Sequence, residues 1–352
     1  MTTTMPLRRA GRSGLYLSAL GLGLGRWGAP NHASSASCVS AEDGFSILER
    51  ALELGVTHWD TASGYGEGES ERIVGAFFAA RGAEVRDQVT LSTKWMGAQG
   101  GGRGAIRKAV DSCLRRLRTE YLDVFMLHNP GMDMEGRYLA PVEETWGALA
   151  DLVHQGKIHY LGVSNAHGIN VRDAVTTLHG TGVGLTLVEN CYNLLQPGQV
   201  GRGLWTDWAH GSSETAFLRE LATLGIGLIP FWPLCMGALT GAYRKAHLTA
   251  YHSLNETFRA QFLEGRTLEA IEALCGVAER KGLSLAALAI AWLLSKEIVS
   301  SVITGVTRLS QLEENARVVG VTLTADEITE LEAIAATAES VDDFCRRKFG
   351  TP

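Results

Sequence analysis

From residue 40 onward, short apolar runs alternate with amphipathic segments, and the alternation persists almost to the C-terminus. Apolar runs at 56–60, 89–93, 122–127, 158–163, 185–188, 227–229 and 299–303 read as strands, and 20–24 adds an eighth. Helical periodicity fills the gaps at 70–80, 105–117, 142–154, 170–178, 214–224, 268–280, 285–294 and 311–318. A first helix over 40–54 opens on Ser40 with Asp43 three residues later, and its Phe45, Leu48 and Leu52 share one face. Strands separated by helices imply parallel β-α units joined by right-handed crossovers. Eight such units close naturally into a (β/α)8 TIM barrel, with an open doubly wound sheet as the alternative. The pattern predicts an α/β fold forming one domain over 1–352, its core running from about residue 7 to about 338. An N-terminal β-hairpin cap precedes the barrel, Thr324-x-x-Glu327 opens an extra C-terminal helix toward Ala338, and a polar tail follows over 339–352.

Composition narrows the function. The formal net charge of −6 supplies no basic field, so nucleic acid is not an expected partner. No apolar run approaches the roughly 18 residues of a membrane span. The 41 glycines are scattered and only 8 prolines occur, which excludes collagen-like and linker character. Cys38, Cys113, Cys191, Cys235, Cys275 and Cys345 lie far apart without a C-x-x-C, so neither a zinc site nor a disulfide framework is expected. A metal-dependent barrel hydrolase would want His-x-His after the first strand, and none is there. The expectation is a cytoplasmic protein. Arg8-Arg9 before Leu15-Tyr16-Leu17 imitates a twin-arginine export signal, but the stretch behind it alternates with glycine, a poor helix former. Gly23-x-Gly25-x-x-Gly28 matches the letters of a dinucleotide fingerprint, yet that motif needs a helix opening at its glycines. Ala29-Pro30-Asn31-His32 and a serine-rich stretch follow instead, so the cluster reads as a tight turn.

In a barrel of this kind, polar residues just past the strands face the site. Asp60, Tyr65, Lys94 and His128 occupy such positions after the second, third and fourth strands. Each alone has an ordinary explanation as a cap, a packing ring or a core histidine. Together, an acid, a phenol, an ammonium and an imidazole suit the reduction of a carbonyl. The oxygen that accepts charge must receive a proton, and a free phenol is a reluctant acid at neutral pH. A neighbouring ammonium lowers the phenol's pKa, a carboxylate holds the ammonium, and an imidazole orients the carbonyl.

These residues sit among segments that resemble the aldo-keto reductase superfamily, in its order and spacing. They are Gly11-Arg12-Ser13-Gly14-Leu15, Asp60-Thr61-Ala62 through Tyr65-Gly66, Ser92-Thr93-Lys94, Gly162-Val163-Ser164-Asn165, and Pro233-Leu234-x-x-Gly237-x-Leu239-Thr240-Gly241. The likeness runs from about Leu7 to Asn315 and is greatest to the bacterial branch related to potassium-channel β subunits. It implies that Asp60, Tyr65, Lys94 and His128 form a catalytic tetrad with Tyr65 as proton donor. It also implies a nicotinamide cofactor across the barrel mouth, with Ser164, Asn165 and Glu189 at the carboxamide. Phe231 would stack on the ring, and Trp232, Pro233, Leu234 and Gly237 would continue toward the pyrophosphate. Gly305, Thr307, Arg308, Gln311, Glu314 and Asn315 would hold the adenosine end. Gly25, Arg26 and Trp27 would line the first loop, and Trp27, Tyr65, Trp95 and His128 the substrate pocket.

Four positions depart from the pattern of that superfamily. Glu189 replaces the usual glutamine, Arg26 a threonine, Trp232 a small residue, and Ala242 a lysine whose charge Arg244 or Lys245 would supply. A buried Glu189 needs a partner, and the candidates are the carboxamide, Arg26 or a proton of its own. The long loop 196–213 with Trp205 and Trp208 reads as a substrate lid. The function expected is reduction of an aldehyde or ketone with NADPH, NADH being the other possible donor, and Arg308 favours the phosphorylated form. Two alternatives are an NAD-linked alcohol or sugar dehydrogenase and a non-catalytic nicotinamide-binding regulatory subunit. The regulatory subunits commonly carry asparagine where His128 stands. The partner expected is a small carbonyl or alcohol, and the sequence leaves the oligomeric state open.

Overall fold

The strand pattern closes into a barrel because one edge finds the other. The structure, a computed structural model, describes residues 4–28, 39–96, 100–130, 132, 137–201, 213–244, 260–340 and 343–344. A hairpin of β1 (Leu7–Arg9) and β2 (Tyr16–Ser18) comes first, paired antiparallel. Eight parallel strands follow: β3 (Leu20–Gly23), β4 (His58–Asp60), β5 (Thr90–Trp95), β6 (Leu122–Leu127), β7 (Ile158–Ser164), β8 (Leu185–Cys191), β9 (Gly227–Phe231) and β10 (Val302–Gly305). They lie side by side in the order β10-β3-β4-β5-β6-β7-β8-β9. The ring joins where Leu228 on β9 donates to the Ile298 carbonyl at 2.9 Å and Ser300 donates to the Leu228 carbonyl at 2.8 Å. The expected eight-stranded barrel and hairpin are both present.

Helices α1 (Ala41–Glu53), α2 (Glu69–Arg81), α3 (Ala83–Arg86), α4 (Arg103–Leu117), α5 (Val142–His154), α6 (Gly168–Leu178), α7 (Glu214–Leu224), α8 (Gly265–Arg280), α9 (Leu285–Leu294), α10 (Leu309–Ala316) and α11 (Ala325–Ala335) surround the strands. Their formation follows local chemistry. On α1, the Ser40 hydroxyl accepts from the Asp43 amide, and Gly44, Ile47, Leu48 and Ala51 turn inward at helical spacing. Helix α9 is apolar on every side and correspondingly buried all round, beneath α8 and α10. The capping box read at Thr324 and Glu327 is formed at the start of α11. Thr324→Ala should remove one capping bond, costing about 1 kcal/mol. The check is a lower denaturant midpoint at unchanged slope.

The barrel floor is filled by the hairpin. Ala10, Leu15 and Leu17 pack against Val124, Met126, Leu187, Ile229 and Ile303 from the strands. Arg8 buckles the hairpin onto the ring's join, donating to the carbonyls of Leu294, Lys296 and Val299 at 2.9, 2.9 and 2.7 Å. Strand β3 uses glycine where the lumen is full: a Cβ on Gly21 would sit 2.5 Å from Ile303 and 2.9 Å from the His58 ring. With the floor plugged, an accessible site in the lumen lies at the C-terminal ends of the strands.

Candidate active site

Register decides which side chains meet at that end. Asp60 is the last residue of β4, opposite Ser92, so Lys94 rises two residues beyond it on β5. His128 follows β6 directly, its amide held by the Trp95 carbonyl at 2.9 Å. Tyr65 opens the turn Tyr65–Gly68 after β4. Glu189 on β8 stands halfway round the ring from β4, and its side chain crosses the lumen.

Lys94 is the centre. It is fully buried and reaches Asp60 Oδ2 at 2.5 Å, the Thr61 carbonyl at 3.1 Å and Glu189 Oε1 at 3.3 Å. Its Nζ lies 5.2 Å from the centroid of the Tyr65 ring. That ring meets His128 edge to face at 5.7 Å between centroids. The structure thus brings together the four residues expected to act. Gly25 backs the phenol, where a Cβ would contact the Tyr65 ring at 3.6 Å.

Electrostatics follow from burial and one ammonium between two carboxylates. Burial opposes the charge on Lys94, but Asp60 and then Glu189 outweigh it and raise its pKa. Burial raises Tyr65 above its ordinary value, and the pull of Lys94 does not offset it. The sequence expectation of a lowered phenol pKa is therefore corrected, because a neighbour is visible in sequence and burial is not. Burial, assisted by Lys94, pushes His128 down to about 3, so its imidazole is neutral at physiological pH. Glu189 is pushed up to about 8 by burial and by the charge of Asp60, against the pull of Lys94.

The partner of Glu189 is Lys94, a possibility the sequence reading did not include, while Arg26 is exposed on the first loop. Ser164 ends β7 beside it and Asn165 follows, its amide donating to the Glu189 carbonyl at 3.0 Å. Asn165 adopts φ +56, and its side chain donates to the His128 carbonyl at 2.9 Å and to Ser164 Oγ at 3.2 Å. Its Oδ1 stays buried without a partner among the described residues, as do His128 Nδ1 and Asn129 Oδ1. Such atoms fit a ligand that brings its own donors, and a primary carboxamide is one. The residues present therefore fit a nicotinamide: Asn165 Oδ1 can accept from its amide, and the Ser164 hydroxyl can donate.

After β9 the chain is strained. Trp232, Cys235 and Met236 all have positive φ near +50, an uncommon conformation for residues with side chains. Phe231 packs edge to face with Trp232 at 5.7 Å. Trp232 and Met236 present 43% and 45% of their surfaces to solvent at the mouth, followed in the same turn by Gly237 at φ +105. Pro233 and Leu234 lie between them. Beside that turn around the mouth, after Gly305 ends β10, the Gln311 side chain accepts from the Thr307 and Arg308 amides at 2.8 and 3.1 Å. Arg308 is exposed at the N-terminus of α10, Glu314 pairs with Arg317 at 3.2 Å, and Asn315 is buried.

Two of the residues expected to line the pocket are buried. Trp27 is fully buried, its indole donating to the Val306 carbonyl at 3.2 Å, so it ties the first loop to the last instead of facing substrate. Trp95 is also buried, whereas Tyr65 and His128 remain partly open. Arg244 is committed to Glu272 and Glu279 at 2.9 and 2.8 Å, which leaves it poorly placed to replace a cofactor-binding lysine. Trp205, Trp208 and Lys245 lie outside the described residues. Sequence reading missed Asn190, which joins Ala166 and Val200 through three side-chain bonds; a buried polar residue ending an apolar strand was its signal.

A model of the aldo/keto reductase family matches residues 19–336. The chain is 32% identical over 350 residues to an L-glyceraldehyde 3-phosphate reductase of Escherichia coli O157:H7, covering 95% of this chain and 94% of that one. It is 30% identical over 343 residues to a probable voltage-gated potassium channel subunit beta of Oryza sativa subsp. japonica, covering 94% and 96%. No helix among the described residues is long and apolar enough to cross a membrane.

Proposed function

The chain belongs to the aldo/keto reductase family, and on that premise we propose that it reduces an aldehyde or ketone with NADPH, Tyr65 donating the proton. The observation that carries this reading is the contact of Lys94, Asp60, Tyr65 and His128 at one barrel mouth. When bound, the reduced nicotinamide supplies hydride to the carbonyl carbon. Tyr65 keeps its proton across physiological pH because burial holds the phenol high, and a developing alkoxide is a far stronger base than a phenolate. Neutral His128 has one N–H with which to orient the carbonyl oxygen, and it does not compete with Tyr65 as an acid. Asp60 fixes Lys94, and Lys94 stabilises the phenolate that forms.

Cofactor choice is read from Arg308, an exposed guanidinium at a helix N-terminus, which suits a 2′-phosphate. Arg308→Ala should weaken NADPH roughly tenfold, the size of one charge-assisted hydrogen bond, and leave NADH little changed. Fluorescence titration of both cofactors measures it, and equal wild-type affinities would turn the reading toward an NAD-linked dehydrogenase. The activity itself is tested by nicotinamide absorbance against aldehydes and ketones, with glyceraldehyde 3-phosphate included because a relative is named for reducing it. Tight cofactor binding without turnover on any carbonyl would favour the regulatory-subunit reading.

A further inference from the structure

The lumen holds one acid more than the reaction needs. Lys94, Asp60 and Glu189 are at most 3% exposed, so two carboxylates and a single ammonium share a site closed to water. Asp60 Oδ1 and Glu189 Oε2 are buried with no partner among the described residues. Yet these two side chains, from opposite sides of the ring, meet at the same ammonium, at 2.5 and 3.3 Å from Lys94 Nζ. Ionised carboxylates only accept hydrogen bonds, so with both charged each of these oxygens is orphaned and one negative charge is unbalanced. A single proton on the pair removes the unbalanced charge and leaves one cation facing one anion.

We infer that Asp60 and Glu189 hold one proton between them, and that Glu189 is a positioning residue whose loss of this proton shuts the alkaline end of carbonyl reduction. The kinetic half of this inference rests on the reductase reading; the shared proton does not.

The groups around the cluster leave few other sources for such a limb. Strand β4 contributes Asp60 and His58, the following turn Tyr65, β5 Lys94, and the end of β6 His128; β7 brings the neutral Ser164 and Asn165, and β9 carries no charged residue. Burial, with Lys94 adding to it, pushes both His58 and His128 down to about 3. Tyr65 and Lys94 are displaced above their ordinary values, and burial pushes the Cys191 thiol at the end of β8 up to about 12. The Asp60–Glu189 pair is what is left to titrate in an enzyme's working range. Below its transition the cluster is neutral overall and Lys94 is shared with one anion. Above it the cluster becomes negative, which raises Tyr65 further and makes it a poorer donor. The sign is therefore a rate that falls as pH rises.

Two measurements test this. Carbon-13 NMR of the full chain with labelled glutamate carboxyls should show one signal, lost in Glu189→Gln, that titrates near pH 8. In Asp60→Asn that signal should shift down by about one pH unit or more, since the like charge is gone. Titration of Glu189 in the ordinary carboxylate range, or no shift in Asp60→Asn, overturns the shared proton. In the kinetic arm, wild-type kcat/KM for reduction should bend downward near pH 8, and Glu189→Gln should move that bend upward by about one unit or more, whatever its absolute rate. A bend that stays in place overturns the role assigned to Glu189. If the wild type reduces no carbonyl, the reductase reading fails, while the NMR result still decides the proton.

Discussion

Tyr65→Phe should lower kcat for carbonyl reduction by about 10²- to 10⁴-fold, the usual contribution of a positioned general acid. The substitution deletes one oxygen and leaves the ring, so packing against Gly25 and His128 survives. The placement of Lys94 over the ring also survives, because it rests on Asp60, Thr61 and Glu189 and not on the phenol. Binding of reduced cofactor should therefore stay within about twofold of wild type, with the loss confined to the chemical step. Single-turnover kinetics separate the two. A variant turning over at near wild-type rate would remove Tyr65 from the proton path and, with it, the main support for the proposed reaction.

Lys94→Met should damage both the fold and the reaction. Removing a fully buried ammonium strands the negative charge of the Asp60–Glu189 pair, and breaking a buried pair in this way costs about 3–5 kcal/mol. The penalty should depend on pH with a definite sign. Both carboxyls already have folded pKa values raised by burial, and loss of the cation raises them further. A raised folded value stabilises the protein below the unfolded value, and that stability is lost as pH climbs through the folded one. The variant should therefore be closest to wild type in mild acid and fall away toward alkaline pH. Denaturant midpoints across that range provide the check; a constant gap would show that the carboxylates do not depend on Lys94.

Much of this architecture is legible in the sequence because the period of apolar residues reports burial directly. Helices 142–154, 214–224 and 285–294 match their structural limits, since clean caps or turn residues bound them. The last strand is less clear. The apolar run 299–303 marks burial, but Val299 bridges to β9 at the ring's join and regular pairing begins only at Val302. The tetrad could be read because each member lies at or just beyond the C-terminal end of a strand. The fate of Trp27 could not, because an aromatic in a glycine-rich loop can equally line a pocket or plug a core. Its deciding contact lies 279 residues away. Likewise, Glu189 announces a need for a partner, but only the ring order shows that Lys94 can meet it from across the lumen.

The ring's join, fastened by Arg8 and by the backbone bonds of Leu228 with Ile298 and Ser300, brings residues near 8 and near 300 together. During synthesis, β3 through β9 can assemble from neighbouring units as they emerge, but closure must wait until β10 has left the ribosome. Until then β3 and β9 are both open edges of an apolar sheet, the kind of surface that pairs with another nascent chain. The arginine near the start of the sequence thus acts late, as a latch engaged once the final β-α unit arrives.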